Sequence, residues 1–341
     1  MDDAASITIA KDGMAVDILT DGASIASLRP KGAAHSMVLG LAPSGYGAAN
    51  KAYVGASVGR FANRIAFGRF AFDGRDFSLP VNDGPHHLHG GPGGFSVRRW
   101  EVASREPSRA VLALQSENGD EGYPGSIEAR AIFTVLSGDE FEIAYEAEAD
   151  SPTIVNLTSH LYFNLAGSGD ILDHRLTLAA DRYLPIDETT IPTGEIAAVG
   201  NTRFDFRGGR LLAERPQGLD HNYCLASQRA AEPRLAASLH SQRSGWTLEL
   251  STTEPGLQVY DGAKFDGAQS DAVGRPIEAF AGLALEPQTW PDAPNRPSFP
   301  SAMLLPGETY RSISRYRFIV GSSDMPHEQT VAENQARGSA E

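Results

Sequence analysis

The chain has 341 residues, with 43 Asp and Glu against 29 Lys and Arg, for a formal net charge of −14. With no run of Lys or Arg to offset it, that balance excludes the phosphate-neutralising surface of a nucleic-acid binder and a basic patch for an anionic membrane, and it admits a neutral small molecule or a cation. The single cysteine, Cys224, excludes an internal disulfide and a zinc site built from several thiolates.

The start of the chain opens on Asp2 and Asp3 and lacks the apolar core of a secretory signal, and no later stretch has the apolar length of a membrane span. A cytoplasmic protein is therefore expected. Short strands follow at 70–72, 111–114 and 131–135. The strand at 140–148 is the clearest. Phe141, Ile143, Tyr145 and Ala147 share one parity, and Glu140, Glu142, Glu146 and Glu148 take the other, as a half-buried antiparallel strand requires. Trp246, Leu248 and Leu250 alternate with Thr247, Glu249 and Ser251 in the same way, and further strands are expected at 280–285 and 316–320.

Turn chemistry separates these segments at Asp73-Gly74, Asn82-Asp83-Gly84, Asn118-Gly119, Ser137-Gly138-Asp139 and Pro306-Gly307. Gly and Pro are abundant, at 35 and 21, and no long stretch has helical periodicity. The pattern predicts an all-β chain folded as an antiparallel sandwich or barrel. One domain is expected over residues 1–324, followed by a polar tail over 325–341.

The histidines cluster. His86, His87 and His89 lie in one turn-rich segment, His160 in Asn156-Leu157-Thr158-Ser159-His160-Leu161-Tyr162-Phe163-Asn164, and His221 in Leu219-Asp220-His221-Asn222-Tyr223. His86 and His87 read as a solvated turn. His87 and His89 would share a strand face and could ligate a metal together, but no His-Glu-x-x-His pattern supplies the remaining ligands. The two glycines after His89 leave room for a close backbone approach to a ligand. Gly90-Gly91-Pro92-Gly93-Gly94 lacks the Lys-Ser/Thr of a phosphate loop, and no Gly-x-Ser-x-Gly nucleophile elbow is present. Glu286 follows the apolar run ending in Leu285, where a carboxylate is costly unless it is ion-paired or serves as a base in a cleft. Trp290, four residues on, is expected to border that cleft.

At these motifs the sequence resembles the aldose 1-epimerase (galactose mutarotase) family. The matching segments are Val58-Gly59-Arg60-Phe61-Ala62-Asn63-Arg64-Ile65, Leu88-His89-Gly90-Gly91, the His160 segment, Ala180-Asp181-Arg182-Tyr183-Leu184-Pro185, Ile191-Pro192-Thr193-Gly194, the Asp220 segment, and Leu285-Glu286-Pro287-Gln288 with Pro291-Asp292-Ala293. They run in family order over roughly residues 5 to 322. The resemblance implies a large antiparallel β-sandwich, the galactose mutarotase-like supersandwich, with a sugar-binding cleft and neither cofactor nor metal. It implies an isomerase that interconverts the α and β anomers of a free aldose, a hexose or a pentose. That chemistry needs a base for the C1 hydroxyl and an acid for the ring oxygen, expected on opposite sides of the sugar.

By resemblance Glu286 is the base, His160 the acid, and His89 a second histidine near the ring oxygen. Asn63, Arg64, Asp220 and Gln258 match positions that bond sugar hydroxyls. Ser159, Leu161, Trp290 and Asp261-Gly262-Ala263 depart from the family pattern and leave the preferred sugar open. His174 and His240 match no role and read as surface or packing residues. The alternatives are a sugar-phosphate 1-epimerase, which would need a basic phosphate pocket, and a noncatalytic sugar binder on the same fold.

Overall fold

The structure, a computed structural model, describes residues 6–72 and 74–321. Asp73 of the expected Asp73-Gly74 turn and the expected tail over 325–341 lie outside the described residues. Among the described residues the helical segments are short 3-10 turns, and every strand ladder is antiparallel.

The large sheet has nine strands, in the order Arg210–Leu211, His174–Leu178, Arg234–Ser241, Trp246–Thr252, Thr309–Val320, Glu140–Ala149, Ile127–Val135, Arg109–Ser116 and Glu101–Glu106. The alternation at 140–148 is realised: Phe141, Ile143, Tyr145 and Ala147 are buried. Their glutamate neighbours face the arginines of Thr309–Val320, with Glu142 opposite Arg315 and Glu146 opposite Arg311. Arg315 Nε lies 2.7 Å from Glu142 Oε2. Such cross-strand pairs contribute a few tenths of a kcal/mol to about 1 kcal/mol each.

A six-stranded sheet runs Tyr162–Phe163, Leu283–Gln288, Gly256–Tyr260, Asp220–Cys224, Arg182–Tyr183 and Ala197–Ala198, and a third sheet holds Ser6–Lys11, Met14–Leu19 and Ser24–Arg29. All three share one apolar cluster, to which they contribute Phe133, Leu248 and Phe318, then Leu257, Val259 and Leu285, then Ile9, Val16 and Ile18. This is the expected all-β sandwich. Rings tie the layers together: Phe141 stacks on Tyr316 at 6.2 Å, and Tyr316 meets Phe163 at 5.7 Å. Burying each such side chain contributes about 1.5–3 kcal/mol. Phe163 thereby anchors the short strand whose other residue, Tyr162, points the opposite way.

The strand expected at 280–285 starts later and runs further, over Leu283–Gln288. Glu286 therefore sits inside a strand, directly opposite Gln258. Pro287 does not end it, because proline is admitted where the ladder needs no N–H from that position.

Candidate active site

The six-stranded sheet has two unlike faces. Tyr223, Leu257, Val259, Leu283 and Leu285 point into the core. The alternate residues Asp220, Gln258, Tyr260 and Glu286 point the other way, with Asp220 opposite Tyr260 and Gln258 opposite Glu286. Strand parity is thus what turns a carboxylate out of an apolar run and into a cleft.

The opposite wall comes from the first third of the chain. Arg64–Ile65 pairs with His87–Leu88, which brings Asn63 beside His89. His160 is hung between main-chain bonds, donating its N–H to Ala56 O at 2.9 Å and accepting at its carbonyl from Gly55 N at 2.9 Å. Together the two walls enclose a cavity of about 540 Å³ bordered by Asn63, Arg64, His89, His160, Asp220 and Glu286. That volume falls among those of small-molecule sites, about 300–1,000 Å³. An apolar cavity of about 500 Å³ near Phe72, Phe299 and Met303 touches none of the expected site residues.

Glu286 Oε1 lies 3.5 Å from His160 Nε2, and both side chains are almost wholly buried. Glu286 Oε2 and His160 Nδ1 have no hydrogen-bond partner. Burial pushes the Glu286 carboxyl well above the usual carboxylate range; Asp220 adds to this and Arg64 opposes it. Burial lowers His160 to about 3. Both shifts favour the uncharged forms, a carboxylic acid beside a neutral imidazole. The two groups stand side by side, at a spacing that suits two oxygens bonded to one carbon.

Arg64 Nε donates to Asp83 Oδ2 at 2.7 Å, and its Nη1 lies 3.9 Å from Asp220 Oδ2. Gln258 Nε2 donates to Asp220 Oδ1 at 2.6 Å. Gln258 lies behind Asp220 and does not border the cavity. The ring of His160 meets those of Tyr53 at 5.9 Å and Tyr162 at 4.8 Å. Tyr53, Asp83, Tyr162 and Tyr260 all border the cavity, and sequence reasoning missed them. Tyr162 could have been found from its place two residues after His160. Asp83 was hidden inside good turn chemistry, and Tyr53 carries no local signal.

Several expectations are corrected. His86 and His87 are buried rather than solvated. His87 uses both ring nitrogens, on Pro80 O at 2.6 Å and Tyr123 Oη at 2.7 Å, so it does not join His89 as a ligand. The glycines after His89 serve chain packing: a Cβ on Gly90, whose φ is +83°, would collide with Gly59 O. Trp290 is buried outside the cavity, with its Nε1 on Pro255 O at 2.9 Å and its ring on Phe299 at 5.1 Å. Asp261, one of the departures from the family pattern, is paired with Arg215 at 2.6 Å.

The ligating atoms of His89, His160 and Glu286 lie within 4.8 Å of one another. His89 Nδ1, however, accepts the Asn63 N–H at 3.1 Å. The proton of the neutral ring then sits on Nε2, which offers the cavity an N–H and no lone pair. The trio is a poor chelate for that reason.

The aldose 1-epimerase family model matches residues 5–317. The chain belongs to the aldose 1-epimerase family. It is 44% identical to rat (Rattus norvegicus) galactose mutarotase, over 91% of this chain and 92% of that one. It is 37% identical to the aldose 1-epimerase of Escherichia coli strain K12, over 90% and 92%. A solved aldose epimerase homologue from C. elegans superposes with a TM-score of 0.87 at 32% identity, covering 94% of this chain and 100% of that chain. Proteins of this family are isomerases, and in this member Glu286, His89, His160, Arg64 and Asp220 border one cavity. No helix of the described residues is long and apolar enough to cross a membrane.

Proposed function

We propose that this protein is an aldose 1-epimerase that opens and recloses the ring of a free aldose, with Glu286 and His160 as its proton-transfer pair. The observation that carries the reading is the buried contact of 3.5 Å between His160 Nε2 and Glu286 Oε1 at the wall of the cavity. In the reactive form the shared proton sits on His160, leaving Glu286 as carboxylate and His160 as imidazolium. Glu286 then takes the proton of the C1 hydroxyl, the C1–ring-oxygen bond breaks as the C1 carbonyl forms, and the ring oxygen takes the His160 proton. The product is the open-chain aldehyde beside a carboxylic acid and a neutral imidazole, which is the form that burial favours. Rotation about C1–C2 presents the other carbonyl face. Reclosure runs the same transfers backward and yields the other anomer. The pair holds one proton before and after each half-reaction, so no outside acid or base is consumed.

Arg64 and Asp220 are proposed to bond the sugar hydroxyls, with Asn63 beside them and Gln258 holding Asp220. Galactose, the substrate in the rat relative's name, is the first sugar to try. Polarimetry on freshly dissolved α-D-galactose, α-D-glucose and a pentose tests the function: the protein should speed the approach to an unchanged final rotation. No acceleration with any of these sugars would count against it, and a melting shift with sugar but no acceleration would point to a binder.

Two further outcomes are expected. Arg64→Ala should raise KM roughly tenfold and change kcat less, because a charge-assisted contact to a hydroxyl is made in ground and transition states alike. An unchanged KM would count against that contact. The acid limb of kcat/KM should follow the lowered His160 value of about 3, and the basic limb should lie above the ordinary carboxylate range. An acid limb at the ordinary imidazole position, about 6.5, would overturn the buried-pair assignment.

A further inference from the structure

We infer that His89 is a fixed hydrogen-bond donor, locked in its Nε2–H form by the main-chain N–H of Asn63, and that Asn63 is the positioning residue that sets it. The inference rests on the aldose reading of the cavity and assigns the two histidines different work.

The contact leaves little freedom. A main-chain N–H can only donate, so the atom 3.1 Å from Asn63 N must carry a lone pair. Turning the ring over would set Cδ2–H against that N–H and orphan a buried donor. Protonating Nδ1 would set two donors against each other. The reverse bond, His89 N–H to Asn63 O at 3.1 Å, closes a two-point clasp that extends the short Arg64–Ile65 ladder.

The backbone explains the residue types. Asn63 has φ +66° and His89 φ +53°, both left-handed. Asn tolerates this region better than most side chains, and its Oδ1 accepts the Arg64 N–H at 2.9 Å, which holds the turn. Asn63 thus gives its backbone to His89.

Tyr53 lies 4.5 Å from the His89 ring and His160 5.4 Å, ring to ring, and Arg64 and His87 add positive or potentially positive charge. Glu286 stands close by, since one nitrogen of each of the two histidine rings and a Glu286 carboxylate oxygen lie within 4.8 Å of one another. What separates the two histidines is Nδ1: no main-chain N–H reaches that of His160, whose Nε2 lies 3.5 Å from Glu286. Proton exchange therefore belongs to Glu286 and His160, while His89 presents an N–H of constant direction to a sugar oxygen, a preorganised donor that needs no reorientation during reaction.

The test is imidazole nitrogen NMR on 15N-labelled protein, with His89 assigned by its loss in His89→Gln. His89 should show the Nε2–H pattern with no titration from about pH 5 to about pH 9, with or without galactose. An Nδ1–H pattern, or a titration inside that range, overturns the inference. Kinetics supply a second arm. His89→Gln keeps an N–H donor and should retain roughly tenfold more kcat than His89→Leu, with an unchanged pH profile in both. Equal losses, or a pH limb removed by either substitution, overturn it. Asn63→Gly keeps the left-handed backbone and its N–H and should keep the His89 pattern. Asn63→Val disfavours that backbone and should lower kcat and mix the patterns, and an Asn63→Gly variant that loses the Nε2–H pattern overturns the role given to Asn63. The NMR arm needs no turnover, so its failure is separable from a failure of the polarimetry.

Discussion

Glu286→Gln is expected to lower kcat by about three orders of magnitude, within the range supplied by a positioned general base, while sugar still binds with similar affinity. The amide fits the same place in Leu283–Gln288 but cannot take a proton. The substitution is also expected to raise the melting temperature at neutral pH. The buried carboxyl has its pKa raised in the folded chain, so above the unfolded value, about 4.5, the folded state binds more protons and stability falls as pH rises. Removing the group removes that loss. Equal melting temperatures near pH 7, or normal turnover by the variant, would refute the assignment of Glu286 as a buried base.

His160→Gln is expected to lower kcat by about two to three orders of magnitude. Its effect on stability has the opposite pH sense. His160 is held at about 3 in the folded chain, against about 6.5 unfolded. In the window between these values the unfolded chain binds the extra proton, and stability falls as pH falls. In the wild type the two groups oppose each other between about pH 4.5 and about pH 6.5. The two single variants should separate them: relative to the wild type, Glu286→Gln loses more stability as pH falls across that window, and His160→Gln loses less. Thermal melts at a few pH values read both slopes, and parallel slopes in the two variants would refute the coupled pair.

The sequence by itself determined the class of fold and most of the chemistry-bearing residues. Alternation at 140–148 is local, because a strand sorts its side chains by parity whatever it packs on, and it predicted the buried face correctly. The motifs around His89, His160, Asp220 and Glu286 were legible because each is contiguous in the chain. Partners were not legible, since they are brought together across the fold. Nothing near Glu142 in sequence announces Arg315, and nothing near Arg64 announces Asp83 as its ion-pair partner.

Only the tertiary structure could remove Trp290 from the cleft, because it lies past the end of the Leu283–Gln288 strand, packs on Phe299 and bonds Pro255 O through its Nε1. Only the structure could show His86 and His87 buried, and bring the Glu286 carboxyl beside the His160 ring. The state of each imidazole is decided at the same level. A histidine reads identically in any sequence, and its proton is set by whichever main-chain N–H, carboxylate or apolar wall the fold brings against it.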